Sequence, residues 1–235
     1  MKYLKDDPSF RDADSGDELK ESTLLLENRV EELHRRMIEL PAGHAPTERA
    51  GLLLELGSAL LRLEKMADAW DAARETFDIA IAAEQWELAA QACDVLFAAD
   101  QPQSLAALGQ GIWLAVTFPM DPELTVAMLQ HVIDETPPDS DGAAVAAAVA
   151  HYIVDLRAED RAREDLLFYT NNMIAAVARR HSNVQEQAQF DFWINKLELS
   201  DPAKFLPRLR NVVDVLVQDD WWIDREALTA KLPVN

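Results

Sequence analysis

The stretch from Leu53 to Ala73, LLELGSALLRLEKMADAWDAA, constrains the fold more than any other. It reads as two short amphipathic helices back to back, with Gly57, Ala69 and Ala73 where the two must touch. A helix with one apolar stripe has to bury that stripe against another element. Small residues at the crossing let the partners approach to about 8–9 Å. A weaker echo follows at Trp86. Elsewhere Ala, Leu, Glu, Gln and Arg dominate, glycine is scarce, and alternating runs of Val, Ile or Thr are nearly absent. These features predict an all-α protein built by stacking antiparallel helical hairpins.

Taken in order, residues 1–14 are charged, carry Pro8 and show no period, as a flexible arm would. Ser15 and Glu18 have capping-box spacing, and a long amphipathic helix is expected within 15–43. There Leu19, Leu26, Leu33 and Leu40 repeat every seventh residue, with Thr23, Val30 and Met37 between them. This heptad has two readings. It is a dimer or partner seam over residues 19–40, or it is the inner face of the chain's own bundle. Pro41 and Gly43 end the helix. Residues 44–158 then divide into hairpins: Thr47–Lys65 with Ala67–Ala83, a helix from Glu84 towards Asp100, and helices at 103–118, 122–136 and 142–157. The breaks at Pro119, Pro122, Pro137 and Pro138 leave short linkers. Residues 159–235 are expected to cap the array as part of the same domain, a separate domain being the alternative. Here Pro207 is expected to start a new helix, with Val212, Val213, Leu216 and Val217 facing inward.

A repeat is visible inside 44–158. Leu53, Leu56, Gly57 and Leu60 align with Trp86, Ala89, Ala90 and Cys93 at a shift of 33 residues, and Leu124, Ala127, Met128 and His131 extend the series. Together with Ala69 and Ala73 this resembles the tetratricopeptide repeat over residues 47–157. That family's first helix carries Trp or Leu, then Leu–Gly or Ala–Ala, then a large residue, while its second helix carries small ones. Leu60, Cys93 and His131 replace the usual aromatic, and the closing proline is not clearly present. The resemblance implies a short α-solenoid with additional C-terminal helices. Its inner face would be lined by the first helix of each pair, here Ser58, Arg62, Glu87, Gln91 and Asp94. Such a face suits an extended peptide or a partner helix.

Charge narrows the partners. A formal net charge of −20 repels phosphate backbones and anionic membranes, and leaves a protein partner with a basic surface as the expectation. Solubility alone is the other reading of that charge. MKYLKDDPSF lacks the apolar core of a signal peptide, so a cytoplasmic location is expected. The long uncharged run from Gln101 to Met120 holds prolines, glycines and glutamines, and suits a buried helix rather than a membrane span.

Catalytic signals are sparse. Cys93 is the only cysteine and falls on a core position, as a small buried hydrophobe rather than a nucleophile. Glu31 and His34 form a lone Glu-x-x-His; di-iron bundles need two such pairs and further carboxylates. His151, Asp155 and Glu159 lie at i, i+4 and i+8, as metal ligands or as a helix-end hydrogen bond. His131 reads as a packing position. His181, after Arg179 and Arg180, suits a helix C-terminus, where cations meet the negative dipole end. No catalytic residue, metal or cofactor is expected. Among the aromatics, Phe192 or Trp193 and one of Trp221 and Trp222 should be core, and the exposed members would be interaction anchors.

The function expected from these residues is a protein–protein scaffold, adaptor or assembly chaperone. Its candidate partner-binding residues are Arg62, Glu87, Gln91, Asp94, Leu26, Leu33, Trp193 and Trp221. Two alternatives stay open. One is a metal-dependent or small-molecule enzyme using His34, His131 and His151. The other is a structural subunit docking through the 19–40 helix.

Overall fold

The computed structural model describes residues 2–4 and 16–232, with side chains from residue 22 onward in the second stretch. The Ser15–Glu18 cap and most of the expected arm lie outside the described residues and side chains. Among the described residues all regular structure is helical: α1 (Gly16–Ile38), α2 (Pro46–Arg62), α3 (Met66–Ala82), α4 (Trp86–Ala98), α5 (Ser104–Thr117), α6 (Pro122–Glu135), α7 (Asp141–Arg157), α8 (Asp160–Ser182), α9 (Gln187–Lys196), α10 (Pro202–Val217) and α11 (Arg225–Thr229). The chain folds as two compact units. The hairpin unit comprises residues 6–114 and 219–235, and the middle unit residues 1–5 and 115–218, the division falling within α5.

The helix stops are unusual in composition. Glu64, Glu84 and Glu198 follow α2, α3 and α9 with φ of 57°, 55° and 54°. In each case the next amide reaches back across the last turn, Lys65 N to Leu60 O, Gln85 N to Ala80 O and Leu199 N to Ile194 O. The left-handed residue donates to the carbonyl three before it, as Glu64 N does to Leu61 O. This is the Schellman stop, normally built on glycine because a side chain at positive φ is strained.

In the hairpin unit α2 packs on α3 and α4, α3 packs on α4, and α1 packs on α2. Gly57 is buried at the α2–α3 crossing, where an added Cβ would lie 3.2 Å from Val95 Cγ1 and 3.4 Å from the Ala69 carbonyl oxygen. Ala69 and Ala73 are fully buried opposite it. The lower part of the α1 heptad is spent on this core: Val30 and Leu33 are buried, and Met37 and Leu40 pack beside them against Leu53, Leu56 and Leu60. Cys93 is buried as expected, and burial pushes its thiol far above the ordinary range. The C-terminal segment completes the unit. Gln110 Oε1 accepts from Trp222 N at 2.8 Å. Trp222 meets the edges of Trp70 and Phe77 at centroid distances of 6.2 and 5.4 Å. The Arg74 guanidinium sits 4.0 Å over the Trp222 ring, which compensates for a buried Nη1 that lacks a hydrogen-bond partner.

In the middle unit α7 is central, packed on α6, α8 and α10, and every residue from Ala143 to Ala150 is buried. An alanine-rich helix apolar on all sides is what three close neighbours require. Arg157 spans from α7 to the end of α5, donating to Ala115 O at 2.6 Å and Val116 O at 2.7 Å. Residues 2–4 belong here too, the Tyr3 and Leu4 amides donating to Glu123 Oε1 at 2.6 and 3.2 Å. Two expectations need correction. Pro207 does not start a helix; it lies inside α10, which Asp201 caps through the Ala203 amide at 2.9 Å. Pro207 and Ala203 are both exposed, so the amide–carbonyl bond forfeited there leaves its carbonyl to water. The inward stripe of α10 is Phe205, Leu209, Val213 and Val217, at every fourth residue, with Val212 and Leu216 half-buried on its flank.

Two stability outcomes follow. Glu64→Gly raises unfolding free energy by about 1 kcal/mol, because glycine adopts φ 57° without the left-handed strain. Gly57→Leu lowers it by about 1–3 kcal/mol through overpacking against Val95 and the α3 backbone. Urea denaturation of the intact protein reads both, and a change of the opposite sign in either variant contradicts this account.

Candidate functional site

The hairpin unit holds an open groove of about 800 Å³ over α2, walled by α1 on one side and α3 on the other. Leu53, Leu56 and Leu60 form its floor, one row of α2 at i, i+3 and i+7. These leucines are only 4–5% exposed, so the groove floor is the outer skin of the core rather than a separate pocket. The α1 wall adds Val30, His34, Met37 and Ile38, and Ile38 stands 85% exposed. The α3 wall presents Asp68, Asp71 and Glu75, the same spacing in carboxylates. Glu75 is taken by Arg49 of α2 at 2.9 Å. Asp68 and Asp71 are exposed and form no ion pair among the described residues. Lys65 closes one end.

The residues singled out from the sequence are scattered relative to this groove. Arg62 is exposed in the last turn of α2. Glu87, Gln91 and Asp94 are half-buried along one face of α4, and Gln91 Nε2 donates to Glu87 Oε1 at 3.5 Å. Leu26 is half-buried on α1. Leu33 is a correction: it is fully buried between α1 and α2, so the heptad there serves the protein's own core and presents no surface. Trp193 is another, 3% exposed within the middle unit, while its neighbour Phe192 is 69% exposed. Neither Trp221 nor Trp222 is fully core; both are half-buried. Trp221 lies edge-on to Trp113 at 6.4 Å and beneath Arg225 at 3.8 Å. Pattern alone missed Ile38, Asp68 and Asp71. Their only sequence signal is a shared solvent face that becomes a wall once α1 and α3 flank α2.

A second concavity, about 430 Å³, lies in the middle unit beside Val184, Phe192, Trp193 and Lys196. Its neighbour His181 stands in the last turn of α8, the helix end its sequence position suggests. The Trp193 indole N–H can only donate, and it points at His181 Nδ1 from 3.2 Å. Nδ1 is therefore the acceptor, and Nε2–H donates to Asp141 Oδ1 at 3.1 Å. Asp141 Oδ2 pairs in turn with Arg208 at 3.1 Å. The histidine satisfies a buried indole and ties α8 to α7 and α9.

The other histidines singled out from the sequence have these neighbours. Asp155 is committed to Arg163 rather than to His151. The His151 ring instead donates from Nδ1 to Thr170 Oγ1 at 3.1 Å, the Thr170 hydroxyl passing its own proton to Leu166 O at 2.9 Å. Glu159 precedes α8 as its N-cap residue. Glu31 and His34 are both exposed on α1. Among the described residues no three His, Cys, Asp or Glu side chains form a metal-holding group, and no helix is long and apolar enough to cross a membrane.

No protein family, curated protein or solved structure matches this chain.

Burial lowers the His151 pKa below its ordinary 6.5, with Arg163 adding to that and Asp155 opposing it. The unfolded chain therefore takes up this proton near pH 6.5 while the folded protein still resists it. Stability falls as pH drops below about 6.5, because the unfolded state binds more protons there. His151→Gln removes that component. Urea curves at about pH 7.5 and about pH 5.5 should show a smaller pH-linked loss in the variant than in the parent. An equal loss would mean that His151 titrates alike in both states.

Proposed function

We propose that the protein is a cytoplasmic scaffold that works by binding another protein, receiving a peptide or partner helix on the hairpin unit. The observation that carries this reading is the open groove over α2, an apolar floor rimmed by charge with the exposed Ile38 on its lip. Apolar surface bordered by polar groups is the usual mark of a protein-docking site. The hairpin order supports a tetratricopeptide-like arrangement, since α2 meets both its own partner α3 and the next first helix α4, as stacked repeats do. The alternative in which the 19–40 helix docks as a structural element retains one supporting observation, the exposure of Leu24 and Leu25 at 58% and 63%.

A photo-crosslinking amino acid placed at Ile38 in the native host tests the reading. The expected result is a covalent adduct with one defined protein, missing when the same group is placed at the exposed Ala203 of α10. Identical adducts at both positions, or none at Ile38, would sink it.

A further inference from the structure

Resting on that reading, we infer that the groove takes an amphipathic helix whose apolar stripe lies on Leu53, Leu56 and Leu60 and whose basic flank faces Asp68 and Asp71. The shape argument proceeds by elimination among the ways a protein receives a peptide. Strand addition needs free backbone donors and acceptors along an edge, but the floor is the middle of α2, whose amides and carbonyls bond within the helix. A proline-rich segment docks on tryptophan and tyrosine rings, and the groove lining contains no Trp, Tyr or Phe. A phosphorylated or acidic segment needs clustered arginines, whereas the α3 wall is a row of carboxylates. A helix remains. Its i, i+3, i+7 anchors match the period of the floor row, and two parallel walls on either side of a central helix are the cleft into which a helix surface packs.

Charge chooses among the helices. Arg49 already neutralises Glu75, and Asp68 and Asp71 outnumber the one remaining cation of the lining, Lys65, so that the α3 side stays net negative. The two aspartates call for lysine or arginine on the partner edge that faces α3. The protein's own segments have the wrong sign. Residues 5–15, KDDPSFRDADS, carry four aspartates against one lysine and one arginine, and a second copy of a chain with net charge −20 is repelled by the first. The occupant is therefore a separate protein with a basic amphipathic helix. Ile38 covers its apolar stripe from the α1 side.

The probe is a synthetic helix of about 15 residues, with leucines at i, i+3, i+7 and lysines along one flank. Its control carries glutamates in place of the lysines. Binding to the intact protein is read by fluorescence anisotropy. The lysine peptide binds, more weakly as salt rises, and the glutamate peptide does not. Asp68→Lys with Asp71→Lys weakens the lysine peptide by about tenfold and brings in the glutamate peptide; Ile38→Glu weakens the lysine peptide by about tenfold. All three positions are exposed, so folding is preserved, as circular dichroism checks. Reversing Glu135 and Asp139 of the middle unit leaves binding unchanged. An equal loss from that control pair shows mere attraction of cations and overturns the inference. Equal binding of both peptides overturns the basic flank. Binding of neither, with the Ile38 crosslink to a protein intact, overturns the helix while leaving the scaffold reading in place. A dimer that Ile38→Glu converts to a monomer by light scattering overturns it in favour of a second copy.

Discussion

The close approach of α2 to α3 is the constraint on which the hairpin unit depends. Gly57 lets the Ala69 backbone come within van der Waals reach, and Ala69 and Ala73 leave no side chain to hold the helices apart. Because α3 sits so close, α2 can offer separate strips of its surface to three neighbours, α1, α3 and α4. The row Leu53, Leu56 and Leu60 lies between the strips given to α1 and to α3. It is nearly buried by those two walls and roofed by neither. The groove is thus a by-product of tight packing at Gly57. A bulkier residue there would push α3 outward and change the spacing of the walls before it changed any groove residue.

Trp222 and Trp193 are used inwardly, each with polar neighbours. The Trp222 amide is met by Gln110 and its face by Arg74; the Trp193 indole is met by His181, which Asp141 orients. A buried donor left without a partner costs about 1–3 kcal/mol, so these arrangements explain why glutamine, histidine and arginine occur beside tryptophans in an otherwise apolar setting. They commit Trp193 to the interior, while Phe192 beside it stays 69% exposed. Trp193 anchors α9 to α8, and the Trp221–Trp222 pair holds the C-terminal segment inside the hairpin unit.

Most helices were legible because their apolar period is strong and their linkers are short. The helices expected at Thr47–Lys65, Ala67–Ala83, 122–136 and 142–157 are found as α2, α3, α6 and α7. The helix stops were harder to see. Glutamate occupies the left-handed position at Glu64, Glu84 and Glu198, where glycine would have announced the end of a helix. Pro207 misled in the opposite direction, since an exposed early turn tolerates a lost hydrogen bond that a buried one would not. The division within α5 left no mark at all, because it is a matter of which helices touch rather than of any local pattern. Leu33 shows the same gap on a smaller scale. A heptad states that one face is apolar; it does not state whether the partner is another chain or α2.

The candidate site was the least legible part, for a related reason. Asp68 and Asp71 read in sequence as the ordinary polar face of an amphipathic helix, and Ile38 as one stray exposed hydrophobe, which is common on protein surfaces. Each gains meaning only from position. The carboxylates stand on one wall of a cleft, the isoleucine on the other, and a leucine row lies between them. Surface charge dispersed around a molecule acts mainly on solubility, but two unpaired carboxylates beside apolar surface act on a specific edge of whatever covers it. The large negative charge and the local pair thus do different work. On the proposed reading, the first favours encounter with a basic partner at long range, and the second sets which flank of that partner faces α3.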